Sequence, residues 1–127
     1  MHLLKQVISQ ETAKKLKELG VNKPSYYVWF DGVLWTDDAV KQHYSPEPLE
    51  TYTYSAYSVA ELGEMLPRYT ITQQDNQEWI AEREWYEDGT GIKSSASTEV
   101  EARAGLLIQL LEKNIIDPVR LGSALDV

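Results

Sequence analysis

The sequence predicts an α+β protein in which four mainly antiparallel strands form one sheet packed with three helices, in the order α-β-β-α-β-β-α. Three observations predict this class: apolar residues at helical spacing after polar caps, two aromatic runs joined by Asp-Gly, and two later segments of alternating pattern. The 127 residues suit one domain over 1–127, and a chain of this size buries about two-thirds of its unfolded surface.

The first helix is predicted over residues 10–19. Ser9 is a typical N-cap, because its hydroxyl can accept a free amide hydrogen of the first turn. The apolar residues that follow recur at three-residue spacing on one face: Ala13, Leu16 and Leu19. Gly20 ends the helix, since glycine adopts the left-handed conformation without steric cost.

Two runs rich in aromatic residues, 26–30 and 33–36, are joined by Asp31-Gly32, which is typical of a two-residue hairpin turn. That turn places four pairs of residues opposite each other: Phe30 with Val33, Trp29 with Leu34, Val28 with Trp35, and Tyr27 with Thr36. Both faces of the hairpin are then largely apolar, so a loop, a helix or a second copy of the protein should cover the second face. We predict three candidate interface residues here: Tyr27, Trp29 and Leu34.

Residues 37–57 show no clear pattern, although a structureless loop of this length is uncommon in a compact domain. Thr51–Ser55 is predicted as a short extended segment. The segment also contains four tyrosines that we expect to pack over the sheet: Tyr44, Tyr52, Tyr54 and Tyr57.

The second helix is predicted from Ser58-Val59-Ala60-Glu61, which has the pattern of a capping box, and it ends before Pro67. Strands are predicted over 69–72 and 78–86, on either side of turn residues 74–76. One face of the later strand carries Trp79, Ala81, Arg83 and Trp85, and the other carries Glu78, Glu82 and Glu84.

The last helix is the clearest element. Thr98-Glu99-Val100-Glu101 predicts a second capping box, and the helix runs to about Lys113. Its apolar residues share one face at helical spacing: Val100, Ala104, Leu107, Ile108 and Leu111. The tail over 117–127 is predicted to be loosely ordered.

The net charge of −8, from 20 acidic and 12 basic residues, disfavours direct contact with nucleic acid. A solubilising surface is its commonest meaning, and an acidic imitation of DNA is the alternative. The chain has no cysteine, which excludes disulfides and thiol chemistry. No apolar stretch has the length of a signal peptide or a membrane span. We therefore predict a cytoplasmic protein with no membrane contact.

Two segments are candidate sites of phosphate or metal binding. Residues 88–94 lie where phosphate-binding loops occur, but Ile92 separates Gly91 from Lys93, so a flexible turn is favoured. Asp37, Asp38 and His43 could ligate a metal, but solvated loop residues are the favoured interpretation. We predict no catalytic, cofactor-binding or metal-ligating residue, and no cofactor.

Three stretches together resemble a set of small uncharacterised proteins from phages and from bacterial genomes that carry prophages. They are Ser9–Val21 followed by the aromatic hairpin, Val59–Pro67, and Thr98–Asn114. The resemblance implies a phage-like protein of unknown function. These motifs are structural, so the resemblance assigns no catalytic residue.

The eight tyrosines and four tryptophans, against a single phenylalanine, favour a core and a protein–protein interface over a base-stacking platform. The first functional hypothesis is therefore a non-enzymatic interaction protein that binds a protein partner or itself as a homodimer. An acidic DNA mimic or inhibitor of a mobile element is the second hypothesis. A small hydrolase or nucleotide-binding enzyme is the third.

Overall fold

A computed structural model describes residues 6–67, 70–84 and 91–121. Within those residues it shows five α-helices and two three-stranded antiparallel sheets. The α+β class is thus confirmed, whereas the prediction of one four-stranded sheet with three helices is wrong. The difference arises because residues 37–52 and 91–96 form elements that the sequence pattern did not reveal, and because the extended segment predicted at 51–55 is a strand over Thr53–Ser55 in a separate sheet.

The described residues contain five α-helices and six strands. The helices are α1 (Gln10–Glu18), α2 (Asp37–His43), α3 (Pro46–Tyr52), α4 (Val59–Met65) and α5 (Glu99–Glu112). The strands are β1 (Tyr27–Phe30), β2 (Val33–Thr36), β3 (Thr53–Ser55), β4 (Thr70–Asp75), β5 (Glu78–Glu84) and β6 (Gly91–Ala96). The first sheet has the order β2-β1-β3 and the second β4-β5-β6.

The β1–β2 hairpin has the predicted register, with Val28 opposite Trp35 and Trp29 opposite Leu34. Asp31 and Gly32 have φ angles of 54° and 74°, as a primed two-residue turn requires. Strand β3 then pairs with the other edge of β1, which places Tyr54 opposite Trp29. The hairpin is therefore the core of a three-stranded sheet.

The protein's own chain covers both faces of this first sheet. Val28 and Phe30 on one face pack with Val40 of α2 and Leu49 of α3 in a small separate cluster. On the other face, Trp29 packs against the main core, and its indole N–H donates to the carbonyl oxygen of Ile8 at 2.9 Å. The apolar pattern correctly indicated that a second cover was needed.

Helices α2 and α3 replace the stretch that had no predicted structure. The Thr36 hydroxyl accepts a hydrogen bond from the Ala39 amide at 3.2 Å and so caps α2. Helix α3 begins with Pro46 directly after Ser45, a position that proline tolerates because the first amides of a helix have no intrahelical partner. Each helix has only seven residues, too few for a clear apolar period.

The second sheet packs one face on α5, where Ala81 is fully buried. The register places Trp79, Ala81 and Arg83 on one face, as predicted. Strand β6 contradicts the prediction of a flexible turn for the described residues 91–94. Residues 68–69 and 85–90, which include Trp85 and the predicted Asp88-Gly89 break, lie outside the described residues.

Helix α5 is buried on more than its predicted face. Val100, Ala104, Leu107 and Leu111 are buried as predicted, Ile108 is half-buried, and Ala102, Leu106 and Leu110 are buried as well. The second sheet contacts α5 on one side, while α1 and α4 contact it elsewhere. A helix in contact with neighbours on several sides needs apolar residues around most of its circumference.

The predicted capping box at α5 forms only by half. The Thr98 hydroxyl accepts from the Glu101 amide at 3.3 Å, as predicted. The Glu101 carboxylate does not return to Thr98; it accepts from the Ser9 amide at 3.0 Å and the Thr12 hydroxyl at 2.7 Å. Glu101 thereby joins the N-termini of α1 and α5. The corresponding box at α4, between Ser58 and Glu61, is complete.

The chain after α5 is fixed as far as Leu121. Pro118–Arg120 forms a short 3-10 helix that the Asp117 carboxylate caps through the Val119 amide. Leu121 is 2% exposed and belongs to the main core. The prediction of a loose tail is therefore wrong for 117–121, and residues 122–127 lie outside the described residues.

Candidate functional site

An aromatic cavity lies at the end of the first sheet, where the hairpin turn, the end of α2, the α3–β3 junction and the start of α1 meet. Its volume is about 470 Å³, within the range of roughly 300–1,000 Å³ that is usual for ligand sites. Six residues line it, and together they are here named the tyrosine pocket: Gln10, Phe30, Asp31, Tyr44, Tyr52 and Tyr54.

Two neighbouring rings hold Tyr44 in place. Its ring centroid lies 4.6 Å from that of Phe30, at an interplanar angle of 54°. Trp35 contacts Tyr44 edge-on at 5.9 Å between centroids. Aromatic pairs at these separations are attractive beyond the area that they bury. Tyr44 is thus positioned by the apolar cluster beneath it, although 42% of the residue is exposed.

Tyr52 and Tyr54 are placed by the junction between α3 and β3. Tyr52 is the last residue of α3, and Tyr54 pairs with Trp29 across the sheet. Lys17 of α1 fixes this junction, because its ammonium donates to the carbonyls of Thr51 at 3.3 Å and Thr53 at 3.0 Å. The same ammonium lies 5.0 Å from the centroid of the Tyr54 ring.

The rim of the pocket is open to solvent. Tyr52 is 61% exposed, and Asp31 is exposed at the tip of the hairpin. Among the residues that the structure describes, none forms an ion pair or hydrogen bond with the Asp31 carboxylate. The pocket therefore combines the exposed rings of Tyr44 and Tyr52 with a carboxylate that has no hydrogen-bond or ion-pair partner among the described residues.

This chemistry suits binding. Ring faces offer apolar area and attract cations, and Asp31 and Gln10 offer hydrogen-bond acceptors. None of the six lining residues pairs a nucleophile with a neighbouring base, which a covalent mechanism would need. The pocket is a surface that can hold a side chain or a short segment of another molecule.

A second cavity, of about 450 Å³, lies between Tyr57, Glu61 and Leu121, and the Tyr57 hydroxyl and Glu61 carboxylate that line it form hydrogen bonds within the fold. The Glu61 carboxylate accepts from the Ser25 hydroxyl at 2.9 Å and from the Ser58 amide at 2.9 Å. The Tyr57 hydroxyl donates to the Lys23 carbonyl at 2.6 Å. Burial raises the pKa of Tyr57 to about 12. These groups stabilise the fold.

The candidate interface residues Tyr27, Trp29 and Leu34 do not line the tyrosine pocket. All three are half-buried, and Trp29 is covered by the main core. Their role in an interface stays a prediction. Sequence reasoning did note Tyr44, Tyr52 and Tyr54, but expected them to cover the sheet. The pocket depends on the pairing of Tyr54 with Trp29 through β3, which the local sequence pattern does not indicate.

Of the three candidate metal ligands, Asp37 and His43 contact other side chains, and Asp38 is exposed. Asp37 forms an ion pair with Lys41 at 2.8 Å, and this hydrogen bond raises the pKa of Lys41 above its usual value. The His43 ring contacts Trp35 edge-on at 5.5 Å between centroids. Within residues 6–67, 70–84 and 91–121, no three histidine or acidic side chains are grouped so that they could hold a metal ion.

Comparison of the chain with protein-family models, with curated proteins and with solved structures finds no match in any of the three. Among the helices of the described ranges, none has the length and apolar character needed to cross a bilayer. Functional inference therefore depends on the chemistry of this chain's own residues.

Proposed function

We propose that the protein is a phage-like, non-enzymatic interaction module that binds a protein partner through the tyrosine pocket. The observation that carries the proposal is the exposure of Tyr44 and Tyr52, at 42% and 61%, in a pocket where Phe30 contacts the Tyr44 ring. Tyrosine is enriched at protein interfaces, since it offers a large ring together with a polar hydroxyl.

The support beneath the rings favours binding over simple surface exposure. Phe30 is 8% exposed and contacts Tyr44 from the buried cluster. Lys17 ties the backbone on either side of Tyr52 to α1. A preorganised ring loses less conformational entropy when a partner binds, so more of the contact energy remains as affinity. The open pocket is also concave, as a site for a protruding side chain requires.

The proposal can be tested by selecting random displayed peptides on the wild-type protein and measuring their affinities for variants. The double variant Tyr44→Ala/Tyr52→Ala removes the rim of the pocket. Tyr26→Ala is the matched control, because Tyr26 is 64% exposed and lies outside the pocket. We expect selected peptides to bind the wild type and the control alike and to lose at least about tenfold in affinity for the double variant.

Peptides that bind all three proteins equally would contradict the proposal, as would a selection that enriches no sequence. Far-UV circular dichroism of the three proteins should show the same secondary structure, because neither Tyr44 nor Tyr52 belongs to a core cluster. A change in the double variant alone would indicate that the rings support the fold. Affinity should then be measured with Tyr44→Phe/Tyr52→Phe, which keeps the rings and must retain binding.

A further inference from the structure

We propose that the tyrosine pocket takes an arginine side chain of the partner, with its guanidinium over the tyrosine rings and paired to Asp31. This inference rests on the proposed function and specifies the chemistry of the occupant. It is carried by two features of the pocket: the exposed rings of Tyr44 and Tyr52, and a carboxylate at the rim.

The ring faces attract cations because the π-system carries negative charge above and below the ring plane. Four rings line the pocket: Phe30, Tyr44, Tyr52 and Tyr54. The chain itself uses this attraction at Tyr54, where the Lys17 ammonium lies 5.0 Å from the ring centroid. Two backbone carbonyls hold that ammonium in place, so it stabilises the pocket from within the fold.

Asp31 supplies the counter-charge. It occupies the first position of the hairpin turn with a φ of 54°, and the turn fixes its backbone beside Phe30, the last residue of β1. No residue in the described ranges provides a cation for its carboxylate. A carboxylate beside aromatic faces matches a guanidinium, which can stack on a ring and donate two parallel hydrogen bonds at once.

Arginine fits this arrangement better than lysine. Its guanidinium is flat and weakly hydrated, so it loses less on leaving water and contacts ring faces over a larger area. The net charge of the chain, −8, adds a long-range attraction for a basic partner and repels an acidic one. A proline-rich segment would also suit an aromatic groove, but it would make no use of the carboxylate.

The test uses a small probe whose charge can be removed without changing its shape. Nα-acetyl-arginine methylamide is titrated at millimolar concentrations into the labelled full chain and followed by amide NMR, in parallel with the citrulline analogue. Citrulline replaces the guanidinium by a neutral urea group of nearly the same outline. We expect saturable shifts at residues 30–31, 44 and 52–54, with binding of the arginine probe stronger by about fivefold or more.

Variants then isolate the carboxylate. Asp31→Asn keeps the turn, because asparagine also adopts the left-handed conformation, and should weaken arginine binding severalfold without affecting citrulline. Asp75→Asn is the control: it removes the same charge from an exposed position on the second sheet and should change neither affinity. Equal affinities for the two probes overturn the proposal, as do shifts that do not reach the pocket or equal losses in both variants.

The two proposals fail in different ways. Selected peptides that need Tyr44 and Tyr52, yet contain no arginine and ignore Asp31→Asn, would overturn the arginine inference and leave the interaction module standing. Arginine-containing peptides that bind equally well without the two tyrosines would instead overturn the assignment of the pocket.

Discussion

Two aromatic regions of this chain lie next to each other and have opposite relations to solvent. In the β1–β2 hairpin, Trp29 packs on the main core, and Phe30 packs on the cluster beneath α2 and α3. In the segment that follows, Tyr44 and Tyr52 are exposed at the pocket rim. Both regions are rich in aromatic residues, but the rings of strands β1 and β2 are buried or half-buried, whereas Tyr44 and Tyr52 are exposed.

The difference shows that aromatic content alone does not locate a binding surface. The hairpin has apolar residues on both faces and therefore requires cover from elsewhere, which α2, α3 and the core supply. The tyrosine-rich segment forms that cover with Val40 and Leu49, and this places its tyrosine side chains at the edge. An interface is better sought on the covering layer than on the strands that it covers.

The largest expected effect is a difference in the free energy of unfolding between a substitution in the hairpin and one in the tyrosine-rich segment. Trp29→Ala should lower the free energy of unfolding by about 3 kcal/mol, because it removes a ring packed on the core and leaves the Ile8 carbonyl without its donor. Tyr52→Ala should stay within about 0.5 kcal/mol, as substitutions at exposed positions usually do. Urea denaturation of both variants measures this, and equal midpoints would contradict the distinction.

The next effect concerns Tyr57, the covered member of the tyrosine-rich segment. Burial, aided by the charge of Glu61, raises its pKa to about 12 in the folded protein, against about 10 in the unfolded chain. The unfolded state loses the proton first, so this contribution to stability is complete below pH ~10 and is lost between pH ~10 and ~12, by about 2–3 kcal/mol.

Tyr57→Phe is the control for that pH dependence. Phenylalanine cannot ionise, so the stability difference from the wild type should shrink as the pH rises above about 10. Chemical denaturation at several pH values measures it. Parallel losses in the two proteins would show that other groups cause the alkaline destabilisation.

Phe30 packs in the cluster beneath α2 and α3 and also lines the tyrosine pocket. A substitution there is expected to have a smaller effect on stability. Phe30→Leu keeps most of the buried volume, so it should cost less than about 1.5 kcal/mol in stability. It also removes the ring that contacts Tyr44 at 4.6 Å, and peptide affinity should fall measurably. Val28→Ala is the comparison, because Val28 shares the cluster but does not line the pocket. Unchanged affinity in Phe30→Leu would show that the support beneath Tyr44 is unimportant.

The smallest effect tests how the first helix is held. Glu101→Gln should destabilise the fold by about 0.5–1 kcal/mol, because the carboxylate accepts hydrogen bonds from both Ser9 and Thr12 and the glutamine amide keeps only one acceptor oxygen. Peptide affinity should not change, since Glu101 does not line the pocket. Denaturation and peptide titration together check this, and a loss of affinity would indicate that the position of α1 controls the pocket.

The predictions that local chemistry determines were the ones confirmed. Asp31-Gly32 determined the hairpin register, Ser58 and Glu61 determined the start of α4, and Gly20 ended α1 with a φ of 97°. In each case a turn or cap involves residues only a few positions apart. Such contacts can be predicted from a short stretch of sequence alone.

Features that depend on distant residues were predicted less well. Strand β6, which pairs with β5, was missed, and β3 was predicted as extended but not as a partner of β1. The Glu101 carboxylate accepts a hydrogen bond from the Ser9 amide at the start of α1, and not from the Thr98 amide at the start of its own helix. Gly105 allows α5 to approach β6, because a Cβ there would collide with the Ser94 side chain. The tyrosine pocket is assembled from four separate elements, so no local pattern could predict it.

The most direct test is a titration of the tightest selected peptide into the wild type and into Tyr44→Ala/Tyr52→Ala, with the urea midpoint recorded for both. We predict an affinity lower by at least about tenfold in the variant, whereas its urea midpoint should fall only by the lost contacts of Tyr44 with Phe30 and Trp35. Equal affinities in two folded proteins would contradict the assignment of the tyrosine pocket as the binding surface.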